Sequence, residues 1–219
     1  MSELTFRAAT AADVAALQPF VHAAYRGDSA RRGWTHEADL LDGNRIDAET
    51  LAAVIADPAQ VVVMAERDGG LAGCVQVTDK GEGLAYLGML SVAPDDQGQG
   101  MGRALIAAAE AAARDRFAAS RMEMTVIIQR TELIDWYVRR GYRRTGETRP
   151  FPATDPRFGL PRRDDLAFAV LERELVRGRA GPVARGLELM GRFMHKPALA
   201  WRLFRAAPVV FRAGPGAPT

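Results

Sequence analysis

Cysteine is nearly absent from this chain, which has one, Cys74, among 219 residues. A single cysteine cannot form an internal disulfide, and it has no second cysteine or paired histidine nearby with which to hold a metal ion. It lies in the apolar segment LAGCVQV, which predicts a thiol packed within a strand. We therefore expect neither a disulfide framework nor a metal site.

Long uncharged hydrophobic runs are missing too, and none approaches the ~20 residues that cross a bilayer. Residues 2–20 include Glu3, Arg7 and Asp13 and contain no continuous apolar block, so no signal or transit peptide is predicted. The composition, 48% hydrophobic and 26% charged, is that of a globular protein that can bury a sizeable core. We expect a soluble cytoplasmic protein with one main domain.

A strong net charge is also lacking, since the formal charge is +2. The total hides an asymmetry, because residues 179–219 carry seven basic residues against one acidic residue, a balance of +6 that leaves −4 for residues 1–178. The body of the chain thus has no basic footprint of a nucleic-acid binder, and no nucleic-acid partner is expected.

The basic segment carries apolar residues at helical spacing, for example Val183, Leu187 and Met190. A cationic amphipathic helix can pack on its own domain or on a sister subunit, or it can lie on an anionic membrane surface. We favour packing, which would allow a homodimer through these helices. The predicted organisation is a domain over residues 1–177 and a basic amphipathic C-terminal extension over 178–219.

Periodicity over the first half of the chain predicts a strand, helices and then three strands. The strand is LTFRAAT, and helices are expected after Thr10 and Asp47, two residues that commonly cap helix starts. Two strands joined at Asp68-Gly69 then form a hairpin, and a third strand ends at Pro94.

The second half alternates between the two periods. A helix is predicted over 102–117, followed by a strand (RMEMTVII) and a helix (ELIDWYVRR) that ends at Gly141. Two last strands, YRRTGE and LAFAVLERE, flank a proline-rich loop over 150–161. This order predicts an α+β fold with one mixed sheet.

Three alternate glycines, Gly98, Gly100 and Gly102, stand between a strand and an alanine-rich helix. Without side chains there, successive N–H groups and the positive end of the helix can face a diphosphate. A Walker A loop is excluded because Arg103-Ala104 stands where Lys-Ser or Lys-Thr is required, and a dinucleotide fingerprint fits poorly because its third glycine comes one residue too early. A glycine-rich turn that only reverses the chain is the alternative.

The segment MLSVAPDDQGQGMGRALI resembles the acyl-coenzyme A binding segment of the GNAT superfamily of N-acetyltransferases. LIDWYVRRGY resembles a later helix of that superfamily, with its aromatic-Tyr-x-(Lys/Arg)-x-Gly-aromatic string. The two motifs stand at the expected separation, and the resemblance covers roughly residues 4–175. It implies a mixed, mostly antiparallel sheet flanked by helices, here with a C-terminal helical tail. It also implies a transferase that uses acetyl-CoA as cosubstrate and needs no metal.

The resemblance further implies which residues hold acetyl-CoA. Main-chain groups of Met89, Leu90 and Val92 would line the pantetheine and thioester, and Gly88 is compatible with a bulge or a close backbone approach. Arg130 would either reach a phosphate or form an exposed pair with Glu132. The remaining cofactor-binding residues would be those of the glycine loop: Gln97, Gly98, Gln99, Gly100, Met101, Gly102 and Arg103.

Tyr137 matches the tyrosine position of the superfamily. A phenol with a pKa near 10 stays protonated at neutral pH and can donate to a leaving thiolate, so we predict Tyr137 as the catalytic acid. The alternative is an aromatic residue that packs in the core with Leu133. A base is harder to assign, because residues 84–92 lack the carboxylate that many relatives hold there. The candidates, acting through water, are His36, Glu37, Asp39, Glu82, Glu123 and Glu132.

The resemblance places the acceptor pocket at the segments YRGDSARRGWTHEAD and TGETRPFPATDPRFG. Arginine beside an aromatic suits a small acceptor with a carboxylate or a flat apolar part; the residues concerned are Arg26, Arg31, Arg32, Trp34, Glu147, Arg149, Arg157 and Phe158. We therefore predict direct acetylation of a primary amine on a small, amino-acid-like molecule. The alternative, motivated by the missing strand carboxylate, is a non-catalytic acyl-CoA binding or sensing module.

Overall fold

A computed structural model describes residues 4–155 and 159–175 of the chain. The extension predicted over 178–219 lies outside these ranges. In chain order the helices and strands are β1 (Leu4–Ala8), α1 (Val14–Tyr25), α2 (Gly27–Ala30), β2 (Leu41–Asp42), α3 (Ala48–Ala56), β3 (Gln60–Arg67), β4 (Gly70–Asp79), β5 (Leu84–Val92), α4 (Met101–Phe117), β6 (Arg121–Ile127), α5 (Thr131–Val138), β7 (Arg143–Pro150), β8 (Leu160–Pro161) and β9 (Ala167–Glu174).

Seven strands form one sheet in the order β1-β3-β4-β5-β6-β9-β7. Every neighbouring pair is antiparallel except β5 and β6, which run parallel. The parallel pair follows from the connection through α4, since parallel neighbours need a crossover. The predicted mixed, mostly antiparallel sheet is confirmed.

Helices cover both faces of this sheet, and alternate strand residues supply both cores. Val63 of β3 packs in the core that contains Leu105 of α4, and the adjacent Val62 packs on the other face with Leu17 of α1 and Leu51 of α3. Helix α5 belongs to the first core. No helix in the described part of the chain is long and apolar enough to span a membrane.

The helix starts follow the predicted capping residues. The Asp47 carboxylate accepts a hydrogen bond from the Thr50 N–H at the start of α3, and Thr10 forms a capping box with Asp13 before α1. One pairing was not predicted: β2 pairs with β8, which lies inside the segment read as a loop. Two-residue strands carry no periodic signal, so this pair is visible only in three dimensions.

The two parallel strands pair only over their first three residues and then separate. Their pairing ends where Tyr86 of β5 faces Glu123 of β6, although β6 continues to pair with β9 as far as Ile127. From this point the ends of β5 and β6 diverge and leave a gap in the middle of the sheet, bridged by a 2.6 Å hydrogen bond between the hydroxyls of Tyr86 and Thr125. Because β6 stays hydrogen-bonded to β9 along its whole length, the sheet remains continuous around the gap.

Candidate active site

A cavity of about 700 Å³ fills this gap. Its walls come from the diverging ends of β5 and β6, from the end of α1, from the segment 34–45, from the glycine loop and from α5. The volume falls in the range of small-molecule sites, roughly 300–1,000 Å³. The gap, the loop and α5 thus meet in one place.

A β-bulge shapes the β5 wall of the cavity. Residues Met89 and Leu90 together face the single residue Val75 of β4, and Met89 has a φ of +51°. Left-handed φ at a non-glycine residue is strained, and here it turns the main chain of β5. The bulge falls one residue after Gly88, which pairs normally with Gln76. Met89, Leu90 and Gly88 all line the cavity, as does Val92.

The three glycines of the loop have two different roles. Gly98 and Gly100 have φ of +83° and +86° with nothing within 4 Å of an added Cβ, so they are required by the left-handed turn and leave open space beside it. An added Cβ at Gly102 would instead lie 3.2 Å from the ring of Trp136, so this glycine lets α4 approach α5. Of the predicted loop residues, Met101 is absent from the cavity lining and has a buried side chain.

Positive charge stands beside the loop. Arg103 and Arg140 both line the cavity, and the Arg140 guanidinium stacks 3.5 Å from the centroid of the Trp136 ring. Burial, with the nearby charges of Arg139 and Arg103, lowers the pKa of Arg140. Its Nε is buried without a hydrogen-bond partner. An anion bound here would reduce the repulsion among these arginines and would accept a hydrogen bond from the Nε of Arg140.

Tyr137 belongs to the core and to the cavity at once. Its ring packs edge-on against Trp136 at 5.0 Å and Tyr142 at 5.9 Å, and only 5% of the residue is exposed. It nevertheless lines the cavity, and no described residue hydrogen-bonds to its hydroxyl. Burial raises the pKa of Tyr137 above the usual value, so the phenol stays protonated. The two interpretations of this residue are therefore compatible.

Glu37 is held between two arginines. Its Oε2 accepts hydrogen bonds from Arg26, the shorter one 3.0 Å long, and its Oε1 accepts one of 3.1 Å from Arg130. Burial acts to raise the pKa of Glu37, but the charges of Arg130, Arg45 and Arg26 outweigh it and lower the pKa. Arg130 also donates to the Thr35 hydroxyl. Arg130 therefore pairs with Glu37 and not with Glu132, the partner that one of the two sequence interpretations gave it.

The other candidate bases lie away from the cavity. Among the residues the structure describes, Glu37 is the one carboxylate in the cavity lining. Asp39 pairs with Arg31 and lies 3.9 Å from His36. Glu123 accepts hydrogen bonds from the guanidinium of Arg149. Glu82 and Glu132 are exposed. Within the described ranges, therefore, the cavity lining holds no carboxylate that is free of an arginine partner.

The predicted acceptor segments are only partly in the site. Arg26 and Trp34 line the cavity, whereas Arg32 pairs with Asp95 at the surface. Arg31, Glu147 and Arg149 also stay outside the lining, and Arg157 and Phe158 lie outside the described residues.

Sequence reasoning did not single out the lining residues Arg45, Tyr86, Arg140 and Phe168, and it covered Tyr25 and Phe151 only as members of the two acceptor segments. Tyr25 and Arg140 stand on or beside predicted helices, so a helical projection was the signal available for them. Arg45 lies between elements, in a segment without any pattern. No group of three potential metal ligands occurs within the described ranges.

The β5 bulge, the glycine loop and Tyr137 lie on the walls of one cavity, and the fold around this cavity is that of an acyltransferase. The family model for the acetyltransferase (GNAT) domain matches residues 34–151, just over half of the chain. The chain therefore belongs to the GNAT acetyltransferase family, and it is an acyltransferase enzyme.

Solved structures of 16–20% identity share the fold. The protein yncA from Salmonella typhimurium, solved with acetyl-CoA, has a TM-score of 0.60 at 20% identity, covering 82% of this chain and 98% of that one. The ribosomal-protein-S18-alanine N-acetyltransferase from Escherichia coli has 0.57 at 17% identity, covering 82% and 97%. A spermidine N-acetyltransferase chimera from Vibrio cholerae and hSSAT has 0.60 at 16%, covering 80% and 96%. A comparison with curated protein sequences gives no match.

Proposed function

We propose that this enzyme transfers an acetyl group from acetyl-CoA directly to the primary amine of a small, amino-acid-like acceptor. The observation that carries the proposal is the protonated, unpartnered hydroxyl of Tyr137, which faces the same cavity as the glycine loop and the β5 bulge. Bound acetyl-CoA supplies a thioester whose carbonyl carbon accepts the amine and whose sulfur leaves as a thiolate.

The residues present fit such a cosubstrate. The open space beside Gly98 and Gly100 admits phosphate oxygens to the main-chain N–H groups of the loop. Arg103 and Arg140 add positive charge, and the buried Nε of Arg140 lacks a partner. Of the predicted cofactor residues, Arg130 is the weakest, because Glu37 and Thr35 already occupy its guanidinium.

Two groups of the protein are suited to the charges that develop in acyl transfer. The bulge at Met89 and Leu90 lines the cavity, and a main-chain N–H there would stabilise a carbonyl oxygen that becomes negative. Tyr137 would donate its proton to the departing sulfur and would regain one, through solvent, from the amine nitrogen, which loses a proton as the amide forms. The raised pKa of Tyr137 keeps its proton available over the whole neutral range.

Direct transfer is favoured over an acyl-enzyme. Cys74 is fully buried, is absent from the cavity lining, and has its pKa raised by burial to about 12. Ser91 is also buried and donates its hydroxyl hydrogen bond to the Met89 carbonyl. No cysteine or serine of the described ranges therefore reaches the cavity as a nucleophile.

The missing base has an electrostatic substitute. Arg26, Arg45 and Arg130 outnumber Glu37 in this part of the cavity lining, leaving an excess of two positive charges. Like charges disfavour a bound ammonium and lower its pKa. The amine would therefore lose its proton to water on entry, without a dedicated carboxylate.

Tyr137→Phe is the decisive variant for this proposal. Turnover, followed as acceptor-dependent thiol release over a panel of small amines, should fall by at least about 100-fold, since a positioned acid contributes that much. Acetyl-CoA binding by calorimetry should be unchanged, because the ring and its packing remain.

Tyr142→Phe is the matched control. The Tyr142 hydroxyl donates to Glu110 in the core and does not line the cavity, so its loss should lower stability but leave turnover intact. Turnover by Tyr137→Phe equal to the wild type would refute the acid role. If acetyl-CoA binds but no amine causes release of its thiol, the alternative of a non-catalytic acyl-CoA binding or sensing module is favoured instead.

A further inference from the structure

Arg45 is a cavity arginine that forms no ion pair with any described residue. It lies between β2 and α3, lines the cavity and is half-buried. Its guanidinium carbon stands 5.2 Å from the centroid of the Tyr25 ring. No described residue forms a hydrogen bond or an ion pair with it. A half-buried guanidinium normally finds an acceptor for its five N–H donors.

The nearby carboxylate of Glu37 forms no hydrogen bond with Arg45. Glu37 gives Oε2 to Arg26 and Oε1 to Arg130. Burial acts to lower the pKa of Arg45, but Tyr25 and Glu37 outweigh it and raise the pKa, so the guanidinium stays charged. The cavity therefore presents a permanent cation with free donors.

The position of Arg45 relates it to the acyl-transfer centre. The Tyr25 hydroxyl donates a 3.0 Å hydrogen bond to the carbonyl of Leu90, which is a residue of the β5 bulge. Arg45 stacks on the ring of that same tyrosine. One aromatic ring thus separates the free cation from the bulge, a span that a short molecule with an amine and an anion at its two ends can cover.

We propose that Arg45 binds the carboxylate of the acceptor, so that the enzyme selects small amino acids with a free carboxylate over the same amines without one. The planar guanidinium fork matches a carboxylate with two parallel hydrogen bonds. This inference rests on the proposed function, since it names the acceptor chemistry of the same site. Arg45 is here a specificity-determining residue.

The test compares amino acids with their primary amides, which keep the amine and replace the carboxylate by a neutral group. Wild-type kcat/KM should favour the acid by about 10- to 100-fold, the value of a hydrogen-bonded charged pair. Arg45→Gln should reduce this ratio toward one, and Arg45→Lys, which keeps the charge without the fork, should give an intermediate ratio. Arg121→Gln is the matched control, because Arg121 pairs with Glu172 and lies outside the cavity lining; it should keep the wild-type ratio.

Binding of N-acetyl amino acids and their amides to the complex with coenzyme A gives the same comparison without turnover. If the wild type has the same kcat/KM and affinity for acids and amides, or if Arg45→Gln leaves the acid-to-amide ratio unchanged, the inference is overturned while the proposed acetylation stands. Weaker acetyl-CoA binding by Arg45→Gln without a change of ratio also overturns it, because Arg45 would then hold a phosphate. Preferential binding of the acids in the absence of any turnover would support the carboxylate site and refute the proposed reaction.

Discussion

At the residue scale, Glu37 shows how surroundings decide the role of a carboxylate. By sequence it is one of six candidate bases, and it is the one of the six that lines the cavity. The two arginines that hold both of its oxygens lower its pKa, which makes it a poor proton acceptor at neutral pH. Its contacts instead connect the segment before β2 to the end of α1 and the start of α5.

Glu37→Gln should therefore act mainly on stability. Removing one partner of a buried ion pair leaves the other charge uncompensated, so we expect unfolding to become easier by about 3 kcal/mol at pH 7, measured by urea denaturation. The exposed Glu132→Gln is the control and should change little. A stable Glu37→Gln protein with an altered pH profile of kcat/KM would show instead that Glu37 is the base.

The pH dependence of that stability has a definite sign. Because the folded-state pKa of Glu37 is lowered, its contribution is present above the unfolded value of about 4.3 and is lost as the pH falls through the folded value. The stability gap between the wild type and Glu37→Gln should thus be constant from pH 6 to 8 and shrink below about pH 4. Denaturation curves at several pH values measure it; a gap that widens in acid would contradict this account.

At the scale of elements, the glycines of the loop serve two purposes: Gly98 and Gly100 allow the left-handed turn, and Gly102 allows α4 to pack against α5. Gly98→Ala or Gly100→Ala forces an alanine into a left-handed conformation with no steric neighbour, at about 1 kcal/mol. Each should also weaken acetyl-CoA binding, because the added methyl group occupies the space beside the loop N–H groups. Thermal unfolding and calorimetric titration measure the two effects.

Gly69→Ala provides the matched control for the loop variants. Gly69 has a φ of +80° and open space around it, but it lies in the turn between β3 and β4. It should show the same loss of stability with unchanged affinity for acetyl-CoA. Equal affinity losses in all three variants would show that the loop glycines do not seat the phosphates.

At the scale of the whole molecule, the cavity brings together charges from distant parts of the chain. Arg26, Arg45 and Arg130 come from three separate segments, and Glu37 alone opposes them. No position along the chain reveals this excess, because the formal charge of residues 1–178 is −4. The local field of the site is therefore opposite in sign to that of the body around it.

This field predicts the pH profile of catalysis. Without a protein base, kcat/KM for the acceptor should rise by about tenfold per pH unit and level off near the pKa of the free amine. The raised pKa of Tyr137 should prevent a decline up to about pH 9. The plateau should move with the pKa of the acceptor across a series of amines; a plateau at one fixed pH for all of them would indicate a protein base.

The basic extension over 178–219 carries a separate prediction at this scale. We expect it to pack against the domain or a sister subunit, so that the full chain and a chain lacking 178–219 sediment equally with anionic liposomes. Pelleting of the full chain alone would assign the extension to a membrane surface.

The sequence by itself determined the order of the longer helices and strands, the glycine loop and the tyrosine helix, because periodicity, capping residues and short motifs are local properties of the chain. Tertiary structure decided the rest: the gap between β5 and β6, the capture of Glu37 by two arginines, and the place of Arg45 on the ring of Tyr25. These features depend on side chains far apart in the chain, whose charges and packing become coupled only once the sheet has formed.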